Sequence, residues 1–290
     1  MRRVRNTALC VLLAAALFLG LGCAASAESG ESAPTCTPIP VYCGGLMLAR
    51  AYRVGETVYL SPEDVCRFLG LEAQTAFRQE EERSFVTVTA PGLSLNARQD
   101  ADFLAVNGRY LFNPGNYITV AGRVFFPLDQ MAEAFSLRCV FFDADSRLML
   151  DLSGAEILTG GPDYYEDRFG ADNLLWLSRI ISAEAIGQPM AGKIGVGNVV
   201  LNRVASEKYP DTIFDVVFDT MHGFQFQPVY NKTIYRPASE DSVVAACLCL
   251  EGCNTVGDSL FFVGPALADD AWFRNSLDFV IRIGDHDFYR

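Results

Sequence analysis

The chain has 290 residues, half of them apolar and 20% charged, enough to bury more than one core and too apolar for a disordered chain. Its formal net charge of −12 lacks the basic surplus a nucleic-acid binder needs, which excludes nucleic acid as a partner. An acidic exported protein fits this balance.

The N-terminus reads as an export signal. Arg2, Arg3 and Arg5 precede an apolar stretch from Ala8 to Gly22, too short to cross a bilayer comfortably, and Ala25-Ser26-Ala27 has the small-x-small pattern of a cleavage site. The reading is a signal peptide over 1–27 and an extracellular, cell-wall or spore-associated location. Cys23 follows Gly20-Leu21-Gly22, a poor lipoprotein box, so a lipid anchor is the lesser option. Seven of the nine cysteines lie beyond the signal, and an odd number in an exported chain leaves at least one unpaired thiol. Cys36 and Cys43 are close enough in sequence for a local bridge, whereas Cys66 and Cys139 read as core residues. Cys247, Cys249 and Cys253 match no standard zinc spacing, so no metal and no cofactor are expected.

Residues 28–38, rich in Ser, Glu and Pro, read as a tether. The region 39–154 holds an internal repeat: Val58-Tyr-Leu-Ser-Pro-Glu-Asp-Val-Cys-Arg-Phe-Leu-Gly-Leu71 aligns with Val124-Phe-Phe-Pro-Leu-Asp-Gln-Met-Ala-Glu-Ala-Phe-Ser-Leu137. Each copy predicts a short strand, a Pro-marked helix start and one amphipathic helix, followed by strands at 84–89, and at 139–142 with 147–152. Val106-Asn107-Gly108-Arg109 is a hairpin signal. This pattern resembles the copper amine oxidase N-terminal-like domain. The resemblance implies a stalk or spacer module, a candidate for wall or partner-protein contact, without oxidase chemistry: 39–154 contains no His, and the whole chain only His222 and His286.

Residues 155–171, rich in Gly, Asp and Tyr, read as a linker to a last domain over 172–290. Leu174, Leu177, Ile180 and Ile181 recur at helical spacing, with Asp172 or Asn173 as cap and Gly187 and Pro189 as stop signals. That places Glu184 in the last helical turn between Ala183 and Ala185. An acid there meets the negative end of the helix dipole, and apolar neighbours add desolvation; both favour the protonated form that a general acid needs. A second helix, Met190 to Val204, is apolar over most of its circumference, so it is expected in a core, with Gly192, Gly195 and Gly197 marking close approach of another backbone. Asn198, Asn202 and Arg203 need partners there or line a cleft. Asp211 can cap a helix over 213–217. His222 to Pro237 is aromatic and amide-rich, a composition suited to sugar rings or to a core hairpin. Ser239 to Leu250 reads as a capped helix, and 260–262 and 279–283 as short strands.

In order, Ala183-Glu184-Ala185-x-Gly187-x-Pro189, Val199-Val-Leu-Asn-Arg203-Val, Gln225-Phe226-x-Pro228-Val229, Thr233-Ile-Tyr235, Phe261-Phe262, Trp272 and Ile283-Gly-x-His286-x-Phe288 resemble the SleB-type cell wall hydrolases, the spore-cortex-lytic family. The resemblance implies an α+β chain whose last domain is mostly helical and lysozyme-like. It implies action on peptidoglycan glycan strands at the MurNAc–GlcNAc bond as a lytic transglycosylase, with Glu184 as the single catalytic acid/base. Asn202, Arg203, Gln225, Phe226, Gln227, Tyr235 and Trp272 are the substrate-binding candidates. Gln188 stands where the family often has Glu, and Gln227 where Ser or Thr is common. Two-carboxylate hydrolysis would need a second acid; Asp211, Asp215 and Asp219 are available, with none singled out. The competing readings are a wall-binding protein with a degenerate catalytic domain and a Cys/His hydrolase using Cys247 or Cys249 with His286.

Overall fold

A computed structural model describes residues 35–142, 146–221, 225–264 and 276–290. Residues 1–27, read above as an export signal, and Trp272 lie outside these residues. The chain is a mixed α/β protein with two large hydrophobic cores.

The first core is built from two sheets and two short helices. Strands β1 (Cys36–Cys43), β2 (Leu46–Val54) and β3 (Thr57–Leu60) lead into helix α1 (Pro62–Phe68). A meander follows: β4 (Gln74–Glu80), β5 (Arg83–Ala90), β6 (Leu93–Arg98), β7 (Phe103–Val106) and β8 (Arg109–Phe112). Then come β9 (Ile118–Val120), β10 (Arg123–Pro127), helix α2 (Leu128–Ala134), β11 (Arg138–Phe142) and β12 (Arg147–Asp151). The meander forms one five-stranded sheet, and the remaining strands form a seven-stranded sheet ordered β11-β12-β1-β2-β3-β10-β9.

The repeat is visible in space. Strands β3 and β10, one from each copy, pair antiparallel with Leu60 opposite Phe126. Both helices close in the same way, Leu71 N–H donating to Cys66 O and Leu137 N–H to Ala132 O, across residues with positive φ, Gly70 (75°) and Ser136 (50°). Asn107 and Gly108 both have positive φ, 51° and 85°, as a two-residue hairpin turn demands. Alternating burial along β6 turns Leu93, Leu95 and Ala97 to the core. The expected Cys36–Cys43 bridge does not form: the two residues stand at opposite ends of β1, and at about 3.3 Å per residue they are far beyond disulfide reach.

The second core gathers helices α3 (Tyr164–Phe169), α4 (Ala171–Glu184), α5 (Met190–Val204), α6 (Ile213–Phe218), α7 (Gln227–Tyr230) and α8 (Glu240–Leu250). A three-stranded sheet, β13 (Phe261–Val263), β14 (Phe279–Ile283) and β15 (His286–Tyr289), has β15 in the middle. Helix α5 is the buried element the sequence predicts. Its glycines admit side chains, not the second backbone that was expected: a Cβ on Gly195 would lie 2.7 Å from the Phe288 ring, and one on Gly197 2.6 Å from Cys249 Sγ. Two caps differ from expectation. Helix α4 begins at Ala171, so Asp172 and Asn173 sit inside its first turn, and Asn173 Nδ2 donates to Phe169 O. Helix α6 is capped by Thr212, not Asp211, with Asp215 N–H donating to Thr212 Oγ1 at 3.0 Å.

Residues 155–171 tie the two cores together. Asn107 Nδ2, at the hairpin tip, donates to Leu158 O. Tyr165 of α3 is buried, and its hydroxyl accepts from Tyr110 N–H. Arg109 makes two 2.8 Å bonds to the Glu251 carboxylate just past α8 and lies over the Tyr164 ring. Phe103, Tyr110 and Phe112 of the meander pack against the helical core.

Candidate active site

Helix α4 delivers Glu184 to a groove. Its apolar stripe, Leu177, Ile180 and Ile181, is fully buried, and the helix stops where Gly187 takes a left-handed φ of 78°. The turn is fixed from several sides. Lys193 Nζ donates to Gln188 O at 2.5 Å, Asp285 N–H donates to Gln188 Oε1, and Gln188 Nε2 donates to Asp285 Oδ2. This pairing explains Gln at 188: a Glu would set a second carboxylate against Asp285. Ser182 Oγ accepts from Ser239 N–H, the cap of α8, and so links the ends of the two helices.

The groove, about 330 Å³, is lined by Glu184, Arg179, Ser182, Ala183 and Ile186 on one side, and by Gln227, Pro228, Asn231, Thr233, Arg236 and Pro237 on the other. Glu184 is its only acid among the described residues. Burial alone lifts the carboxyl from 4.5 to about 7; no charged neighbour contributes. The group is therefore about half protonated at neutral pH, largely protonated below it, and can lose that proton to a partner of modest basicity.

The expected binding residues divide. Gln227, exposed at the first turn of α7, shares the groove with Glu184. Tyr235 is 55% exposed and follows Thr233 in the short turn Thr233–Tyr235 at the groove margin. Gln225 opens on a second depression with Glu207, Lys208, Tyr209 and Asp219.

Asn202, Arg203 and Phe226 do not line the Glu184 groove; each is engaged with neighbouring segments of the protein. Asn202 Nδ2 donates to Gly257 O and Ser259 O. Arg203 is buried, donates from Nε to Leu260 O at 2.8 Å and lies among the rings of Tyr209, Phe226 and Phe261. Phe226 is 2% exposed and belongs to the core. All three hold the 257–262 loop and β13 against α5. The 222–237 segment is no hairpin: in its described part it forms α7 and the Thr233–Tyr235 turn.

Sequence reasoning missed Arg179, Ser182, Asn231, Arg236 and Pro237 as groove residues. Arg179 was readable in principle, since it lies off the apolar stripe of α4 one and a half turns before Glu184. Ser182 also lies on α4, two residues before Glu184, while Asn231, Arg236 and Pro237 sit at loop positions that no periodicity marks.

Neither alternative catalytic set is assembled. Burial pushes the Cys247 thiol up to about 12 and the Cys249 thiol well above its ordinary value, opposite to what a nucleophile needs. Burial lowers the pKa of His286, against a smaller opposing effect of Asp285, and its ring packs on Phe262. Asp215 accepts from Thr212 Oγ1 at 2.6 Å, and none of Asp211, Asp215 and Asp219 lines the Glu184 groove.

Residues 187–289 match the sequence model of the Cell Wall Hydrolase family. The spore cortex-lytic enzyme of Halalkalibacterium halodurans is 28% identical over 138 residues, 48% of this chain and 39% of the relative. Those of Bacillus cereus and Bacillus subtilis are each 26% identical over 120 residues, 41% of this chain, covering 45% and 38% of the relatives. The chain thus spans less than half the length of the curated relatives it matches. Among solved structures, the catalytic domain of the germination-specific lytic transglycosylase SleB from Bacillus anthracis aligns with 25% identity over 43% of this chain and 98% of that domain, at a TM-score of 0.39. The Bacillus cereus SleB catalytic domain aligns with 26% identity over 41% of this chain and 90% of that domain, at 0.38. The family match begins at Gly187, three residues past Glu184.

Proposed function

We propose that the chain is an exported peptidoglycan-degrading enzyme that cleaves the MurNAc–GlcNAc bond as a lytic transglycosylase, with Glu184 as its acid/base. The observation that carries this reading is a carboxyl raised to about 7 by burial, in a groove with no second acid among the described residues of its walls. The Cell Wall Hydrolase match and the spore cortex-lytic relatives support the substrate class.

In the proposed reaction, protonated Glu184 gives its proton to the glycosidic oxygen as the C1–O bond of the muramic residue breaks. The resulting carboxylate takes the proton of the muramic 6-hydroxyl, whose oxygen closes onto C1 and leaves a 1,6-anhydro end. No water is consumed, and Glu184 returns to its protonated form. Hydrolysis by two carboxylates would need a second acid across the scissile bond. Gln227, Asn231 and Thr233 offer amide and hydroxyl groups for the sugar's polar edges, and Tyr235 an aromatic face.

Residues 172–290, with α4, α5, α6 and α8 packed around one core, constitute a lysozyme-like catalytic domain in this reading. Residues 39–154 act as a spacer, related to the copper amine oxidase N-terminal-like module, which holds the groove at a set distance from the wall. Zymography on purified wall tests the proposal. The wild-type protein clears it, and Glu184→Gln, still folded by circular dichroism, does not. Clearing by the Gln variant would overturn the assignment.

A further inference from the structure

One surface feature lies outside the groove, takes no part in the proton transfers and shares only Tyr235 with the sugar contacts above. Trp176, eight residues before Glu184 on α4, is about 12 Å from it along the helix axis at 1.5 Å per residue. Its ring meets Phe214 and Phe218 of α6 edge-on at 5.5 and 5.1 Å, while those two rings stack at 4.5 Å. Tyr235 closes the cluster, its ring 6.2 Å from Trp176. Trp176 and Phe218 are half-buried against the helical core, while the outer rings are open: Phe214 is 46% exposed and Tyr235 55%, whereas the neighbouring Val216 and Val217 on α6 are buried.

The cluster is continuous with the groove. Arg179 lines the groove and also lies over the Trp176 ring, 5.2 Å from its centre. Thr233 lines the groove from the same short turn that carries Tyr235. A ligand leaving Glu184 along α4 therefore passes from the groove's amides and guanidinium groups onto aromatic rings. Carbohydrate matches that sequence of surfaces, since its hydroxyl edges need donors and acceptors and its C–H faces stack on rings.

We infer that Trp176, Phe214 and Tyr235 form a distal stacking subsite for the glycan strand, so that the protein selects long strands over short fragments. This inference rests on the reading of the Glu184 groove as the glycan site, and it adds a determinant of strand length on residues that play no part in the chemistry.

The test uses the full-length chain carrying Glu184→Gln, so that strands bind without being cut, and purified glycan strands sorted by length. Long strands are expected to bind about tenfold more tightly than fragments that fill only the groove, and Phe214→Ala to remove that advantage while fragment affinity changes less than twofold. The chain has two tryptophans, so Trp272→Phe in the same background leaves Trp176 as the sole indole reporter, with long-strand affinity remeasured in that protein. Its emission should shift with long strands and stay unchanged with fragments. Length-independent affinity with a silent Trp176 overturns the subsite. So does a Phe214→Ala variant that keeps long-strand affinity but changes oligomeric state, which would make the patch a protein contact. Long strands that shift Trp176 while the wild-type protein cuts nothing would uphold the subsite and sink the catalytic reading instead.

Discussion

Glu184 combines two effects that pull against each other. Burial makes it a usable acid near neutrality, and the same burial penalises its ionised form. Its folded pKa of about 7 lies above the unfolded carboxyl value, so the stability it contributes is complete below about pH 4.5 and is lost as pH rises through 7. Glu184→Gln should therefore be more stable than wild type at pH 8, by roughly 1 to 3 kcal/mol, with the difference vanishing at pH 4. Urea melts at both pH values measure this. Equal stability at pH 8 would mean the carboxyl is not desolvated. The acid must also start protonated, so kcat/KM should fall as pH rises through about 7. At this scale the sequence was informative where chemistry and helix grammar coincide: Glu184 is marked by the helix stop at Gly187 and Pro189. Asn202, Arg203 and Phe226 face neighbouring segments and not the groove. A polar residue on a buried helix and an aromatic in an amide-rich stretch look alike whether they face a ligand or a neighbouring loop.

The helix α5 shows how packing overrides propensity. Its glycines each cost roughly 1 kcal/mol relative to Ala. At Gly197 that cost is offset, because a methyl group there would press to 2.6 Å on Cys249 Sγ and 2.8 Å on Ile181 Cδ1. Gly197→Ala should lower stability by about 1 to 2 kcal/mol net of the propensity gain. At Gly192 the nearest atom would be 3.4 Å away, so Gly192→Ala should leave stability unchanged or raise it by up to about 1 kcal/mol. Thermal melts of the two variants check the contrast, and equal losses would refute it. Periodicity placed α5 over the observed Met190–Val204, the Asn107-Gly108 turn was readable from its dipeptide, and the repeat predicted β3–α1 and β10–α2. The edge strand β4 and the central strand β15 were missed. The first is exposed along nearly its whole length and the second buried throughout, so neither shows the alternation that marks a half-buried strand.

Across the whole molecule the two cores are joined by a polar seam. Arg109 and Glu251, 142 residues apart in sequence, are each less than one-fifth exposed and bonded twice. Removing one partner leaves the other charge partly buried and unpaired. Each of Arg109→Ala and Glu251→Ala should therefore destabilise the chain, with a coupling energy of about 1 to 3 kcal/mol in the double-mutant cycle. Additive losses would show that the seam does not join the cores. Nothing in the sequence announces this pair, since long-range contacts leave no local period. The account of the whole chain turns on the chemistry at one carboxyl, and mass spectrometry of the muropeptides released from purified peptidoglycan reads that chemistry directly. The wild-type protein should release 1,6-anhydro-muramic ends and Glu184→Gln none. Reducing ends in place of anhydro ends, or undiminished release by the variant, would contradict it.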